Sequence, residues 1–171
     1  MKARNQLLVG GIATCIAGLA WATATVGAFD NFVLSTGTVN ADVHAHAHVE
    51  VAGSDDGFNT ELETEGASNF IVQDVKFSPG GTTGWHKHPG ILLLTLTADS
   101  GSVDWYDSKC KKHVYNAGDA WTEGTSIHDV VNNSSIDAHF IVTYVVAKGQ
   151  PKRTDVPASG VPACAAALGL N

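Results

Sequence analysis

The chain has 171 residues, 44% hydrophobic and only 16% charged, with 17 acidic side chains against 10 basic ones for a formal net charge of −7. That length supports one domain with a substantial core, and the composition excludes a disordered chain or a coiled coil. An acidic balance also argues against nucleic acid as a partner, because that binding needs clustered Lys and Arg. Eight histidines in so short a chain direct attention to metal or proton chemistry.

The first 28 residues read as an export leader. Lys2 and Arg4 give a positive start, and Leu7 to Ala28 carries no charge. Small residues at Ala22-Thr23-Ala24 and Val26-Gly27-Ala28 suit signal-peptidase cleavage. The expected location is therefore secreted or periplasmic, with the uncharged run as a retained membrane anchor the alternative. No other membrane contact is expected.

Strand signals dominate the rest of the chain. Asp42-Val43-His44-Ala45-His46-Ala47-His48-Val49-Glu50-Val51 alternates strictly, with valines and alanines on one face and His44, His46 and His48 on the other. This stripe reads first as the wet face of a strand, and second as a ladder able to capture Zn²⁺ or Cu²⁺. Strands are predicted at about 31–39, 42–51, 58–65, 69–77, 82–88, 91–98, 102–107, 112–116, 119–123, 126–131 and 138–147. Pro79-Gly80-Gly81, Pro89-Gly90, Ser100-Gly101 and Ala117-Gly118 punctuate them, and Asp55-Asp56-Gly57 reads as a loop. Close spacing of this kind predicts an all-β jelly-roll barrel or sandwich over 29–150, with an irregular, Pro/Ala-rich tail over 151–171.

Cysteine usage fits export. Cys15 falls in the leader, which leaves Cys110 and Cys164 as an even pair in an oxidising compartment. The expectation is a disulfide that ties the tail to the domain; the alternative is two separate thiols.

The chemistry concentrates in Gly80-Gly81-Thr82-Thr83-Gly84-Trp85-His86-Lys87-His88-Pro89-Gly90. Histidines two apart on a strand share a face, and two converging imidazoles make half of a metal site. The segment resembles the first motif of the cupin superfamily, G-x5-H-x-H, through Gly80, His86 and His88. Gly118, His128 and Asn132 resemble its second motif, and the likeness spans about residues 68–147. The resemblance implies a jelly-roll barrel with His86, His88 and His128 as ligands of one divalent ion: Zn, Fe, Mn, Ni or Cu. It also implies a small-molecule ligand inside the barrel and a homodimer as a partner state.

One departure stands out. The family's Glu ligand would fall at Leu93, or at Leu92 in the shorter spacing, and neither side chain binds metal. The site is thus expected to hold three histidines and no carboxylate. Such an ion would keep its full charge and favour an anionic ligand. Leucines 92, 93, 94 and 96 are expected to line the barrel, with Trp85, Leu93 and Thr95 at the pocket and Trp105 or Trp121 near its mouth. Glu123 and Asp129 flank the third histidine in sequence, but neither reads as a strong general base. Three functions fit this pattern: a metal-dependent enzyme of oxygenase or isomerase type, a capture module that does not catalyse, and a structural domain with a degenerate site.

Overall fold

Strict alternation of buried and exposed side chains gives this chain a fold built from strands. A computed structural model of the protein describes residues 25–53 and 57–170. Most of the expected leader, including Cys15, and Asp55-Asp56 of the expected loop lie outside the described residues. The strands are β1 (Val26–Val39), β2 (Val43–Val49), β3 (Phe58–Thr64), β4 (Ser68–Thr82), β5 (His86–Lys87) and β6 (Ile91–Leu96). They continue with β7 (Val103–Asp107), β8 (Lys112–Tyr115), β9 (Ala120–Glu123), β10 (His128–Val131), β11 (Ala138–Ala147) and β12 (Thr154–Asp155). Two short 3-10 turns come last, at Ala158–Gly160 and Ala166–Leu168. Among the described residues no helix is long and apolar enough to cross a membrane.

Ten of the strands form one curled sheet, a nearly closed all-β barrel. One wall runs β1-β4-β11-β6-β9 and the other β8-β7-β10-β5-β12. The two meet where Thr82 of β4 pairs Val131 of β10. Leu92, Leu94 and Leu96 of β6, Phe140 and Val142 of β11, and Ile71, Val75 and Phe77 of β4 fill the space between the walls. Phe77 and Phe140 stack there with ring centres 5.6 Å apart.

Three expectations change at this level. The chain does not break at Pro79-Gly80-Gly81. Instead β4 continues to Thr82, and its register with β1 jumps from Ala28 opposite Phe77 to Val26 opposite Thr82. Gly80 takes a φ of 77° there, and a Cβ on Gly81 would lie 2.9 Å from the carbonyl oxygens of Ser78 and Val26. The turn residues therefore make a bulge rather than an end. Second, β1 begins at Val26 rather than at about residue 31. Third, the tail is not wholly irregular: Thr154 and Asp155 pair with Lys87 and His86 as an edge strand.

The β2–β3 hairpin stands as a separate two-stranded sheet. Its alternation is as expected, but its valine and alanine face is not buried: Val49 and Phe58 are exposed. Two strands alone have no second layer to cover that face.

The tail packs on the outer face of the β5–β7–β10 wall. Trp85, Tyr106, Val131, Val156 and Ala165 form a second apolar cluster there, with Cys110 and Leu170 at its margin. The indole Nε1–H of Trp85 donates to the Leu170 carbonyl at 2.7 Å. Cys110 and Cys164 are disulfide-bonded, as the even pair predicts. This cover explains why all four residues of β10 are buried: His128 and Val130 face the barrel, while Asp129 and Val131 face outwards under the tail.

Asn132, placed by its motif spacing, is a structural clamp. Its amide Nδ2 donates to the carbonyls of Phe77 and Ile136, and its Oδ1 accepts from the backbone N–H and hydroxyl of Ser134. Asn132→Ala removes every one of those bonds from a buried site. The expected loss is about 2–4 kcal/mol, read as a lower urea midpoint at unchanged m-value.

Candidate metal centre

Pairing across the sheet, rather than nearness in sequence, assembles the site. His86 of β5 is the register partner of His128 of β10. His88 follows His86 by two residues and lies just past the end of β5, on the same side of the chain. The ring centres of the three histidines lie 4.3, 4.8 and 5.2 Å apart. All three side chains are buried.

Each imidazole is oriented by the backbone. Nδ1–H of His86 donates to the Gly84 carbonyl at 2.7 Å. Nδ1–H of His88 donates to the Lys152 carbonyl at 2.7 Å, and that of His128 to the Ser126 carbonyl at 2.8 Å. A carbonyl only accepts, so these bonds place the proton on Nδ1 and leave Nε2 of each neutral ring as a lone-pair donor. Such bonding to the far nitrogen is the usual support behind a ligating histidine.

The fourth member is Glu123 of β9. Its Oε2 lies 3.3 Å from Nε2 of His88 and 3.1 Å from Nε2 of His128. Its Oε1 accepts hydrogen bonds from the indoles of Trp105 at 3.1 Å and Trp121 at 3.0 Å. The two tryptophans expected near the mouth thus fix the carboxylate. One donor atom from each of His86, His88, Glu123 and His128 lies within 4.8 Å of the others, the one such group among the described residues.

The expected absence of a carboxylate is therefore corrected. Leu92 is the register partner of Glu123 across the β6–β9 ladder. Directly opposed residues hold their Cβ atoms about 4.5–5.5 Å apart. The carboxylate is supplied from the neighbouring strand, at the very rung where the resembled motif would place its Glu. A signal was present: in the predicted strand at 119–123, Trp121 and Glu123 share the inward face. What was missing was the long-range register that puts this face against β6.

Other expected residues fall elsewhere. Leu93 and Thr95 point away from the barrel, and Leu93 is 53% exposed. Strand parity is the reason, since Leu92 and Leu94 take the inward positions. Trp85 is 1% exposed, but it is buried beneath the tail rather than at the pocket. His44, His46 and His48 stand on the exposed hairpin opposite Glu63, Glu61 and Asn59, remote from the barrel group in sequence and sheet. His139 faces outwards, with Nε2 2.9 Å from Asp74 Oδ1.

The electrostatics of the group are compatible with a bound cation. Nε2 of His88 and of His128 are buried, and in the neutral rings neither has a hydrogen-bond partner. With the protons on Nδ1, both present lone pairs to a carboxylate oxygen that offers only lone pairs in return. Either a proton on Nε2 of His128 or a metal cation between the donors makes this arrangement favourable. Burial alone would raise the Glu123 carboxyl pKa, but contacts with His128 and His88 outweigh it and hold the group well below the usual range. Burial would lower the His128 pKa, yet its contact and charge attraction with Glu123 raise it. Burial, followed by the charge of His128, pushes His86 well below the usual imidazole value. The donor set of three imidazoles and a carboxylate suits a divalent transition ion.

A cavity of about 410 Å³ opens beside the group. Leu92, Leu94, Phe140 and Val142 give it an apolar wall, and Gln73, Tyr144, Lys152 and Arg153 a polar one. Asp129 takes no part: its Oδ1 accepts from the hydroxyls of Thr82 and Thr83 on the other side of β10.

No protein-family model matches the chain, and no curated protein matches it. Solved structures do. A cupin domain from Bordetella pertussis Tohama I is 18% identical over 63% of this chain and 95% of its own, with a TM-score of 0.40. A double-stranded β-helix protein from Klebsiella pneumoniae is 17% identical over 68% of this chain and 84% of its own, TM-score 0.43. A polyketide cyclase from Streptomyces resistomycificus is 15% identical over 85% and 87%, TM-score 0.46.

Proposed function

We propose that the protein is an exported metal-dependent domain that binds and activates a small molecule in its barrel. His86, His88, Glu123 and His128 would hold one divalent ion. The observation that carries this is the convergence of three backbone-oriented Nε2 atoms and one indole-anchored carboxylate on a single buried point. The bound ion would supply Lewis acidity and an open coordination position. The chain's own residues orient the donors, exclude water through the leucine and phenylalanine wall, and admit a ligand from the polar end. Export is supported by the uncharged leader and by the disulfide.

Glu123 has both oxygens engaged, and no other carboxylate lines the cavity among the described residues. The site is therefore suited to polarising a ligand rather than to abstracting a proton by general base catalysis. With Glu123 present, the ion and its ligands together carry one positive charge rather than two.

Calorimetric titration of the metal-free protein tests the reading. Zn²⁺ should bind about one equivalent and release protons, because the ion displaces the proton that Glu123 stabilises on His128. The raised His128 pKa sets the sign: affinity should fall as pH drops through that titration and recover above it. Binding without proton release at any pH would contradict the assignment.

A further inference from the structure

We propose that the ligand of this cavity is a small monocarboxylate with a short apolar body, whose anionic group is recognised by Lys152. The inference rests on the metal reading above for the position of the ligand's other end, and on the tail for this one.

The ammonium of Lys152 is placed with care. Its Nζ donates to the buried Gln73 Oε1 at 2.6 Å and lies 5.5 Å from the centre of the Tyr144 ring. That ring centre is 5.9 Å from the centre of His88. The cation thus stands one aromatic ring from the metal group, on the wall of the same cavity. Its backbone is fixed as well, since the Lys152 carbonyl accepts from His88 and the nearby Thr154 and Asp155 pair with β5. Recognition by a preorganised group avoids the ordering cost of a flexible one.

The charge balance selects an anion. Lys112 has Asp104 as its partner, and Arg153 has Asp155. Lys152 has no carboxylate partner among the described residues; its contacts are a neutral amide and a phenol ring. A half-buried ammonium beside a metal group of net positive charge leaves the cavity short of negative charge. Arg153 lines the same cavity, but its guanidinium is engaged by Asp155 and the Thr83 carbonyl, which leaves Lys152 as the cation open to a ligand. Meanwhile Leu92, Leu94, Phe140 and Val142 offer no polar partner, which suits hydrocarbon or an aromatic ring. About 410 Å³ is near the small end of ligand sites.

Calorimetry on the metal-loaded full chain, with benzoate and propionate as probes and benzamide and propionamide as uncharged counterparts, tests this. The acids should bind and the amides should bind at least tenfold more weakly. Lys152→Gln should weaken benzoate at least tenfold with metal content and unfolding midpoint unchanged, and Lys152→Arg should retain most of the affinity. Equal binding of benzoate and benzamide, no binding of any probe, or unchanged benzoate affinity in a metal-loaded Lys152→Gln variant would each overturn the proposal. Elemental analysis of the same samples separates this from the metal reading. A chain that holds no metal but still binds benzoate through Lys152 would sink the metal centre and leave the anion site standing.

Discussion

Glu123→Gln is expected to remove metal binding while leaving the fold intact or slightly stabilised. The carbonyl oxygen of the new amide takes the two indole donors now held by Oε1. Its NH₂ then points at the two Nε2 atoms that lack partners, and donates to both lone pairs. The buried polar group becomes fully satisfied without any cation. The same bonds occupy the ligand atoms, and the anionic ligand is gone. Loss of outer support alone costs about 10–100-fold in metal affinity, so the loss here should exceed about 100-fold. Glu123→Leu separates the two effects: it leaves both indole N–H groups buried without acceptors, at roughly 1–3 kcal/mol each. Thermal unfolding of the metal-free proteins, at a pH above the His128 titration, checks the order, with the Glu123→Gln variant at or above wild type and the Glu123→Leu variant well below. If the Glu123→Gln variant retained tight Zn²⁺ binding, the carboxylate would not be a ligand.

The disulfide should make the largest single contribution to stability. It closes a sequence separation of 54 residues, which in the chain-entropy model corresponds to about 4 kcal/mol. For a domain of this size the Tm should fall by on the order of 10 °C in the Cys110→Ser/Cys164→Ser double variant. The effect should reach further than the bond. Release of the tail uncovers Trp85 and Val131 and loosens Lys152, whose carbonyl orients His88. Early proteolysis after residue 150 and weaker metal binding are therefore expected together. Thiols that react with an alkylating agent before reduction would show that the bond is absent from the mature protein.

Local patterns in the sequence carried much of the architecture. The predicted strand at 138–147 coincides with β11, because alternation over ten residues is a strong signal wherever one face is buried. His86, His88 and His128 were legible because their spacing is set within short segments. Glu123 was not, because its place depends on the Leu92–Glu123 rung between strands far apart in sequence. The misplacement of Leu93 has the same origin. A run of leucines carries no parity of its own, and the register of β6 against β11 and β9 decides which of them turn inwards. Trp85 illustrates a third kind of miss: its burial comes from a tail of 3-10 turns and edge strand whose composition suggested irregularity. The histidine stripe at 44–48 alternates in the structure as it does in the sequence, but nothing local reveals that its hairpin has no covering layer among the described residues.

Metal stoichiometry by elemental mass spectrometry tests the barrel metal centre. The measurement uses untagged protein recovered from its export route, beside a His86→Ala/His88→Ala variant and a His44→Ala/His46→Ala/His48→Ala variant. About one divalent ion per chain is expected in the wild type and in the hairpin variant, and none in the barrel variant. Metal that disappears with the hairpin histidines and survives loss of His86 and His88, or no metal in any form after supplementation, would contradict it.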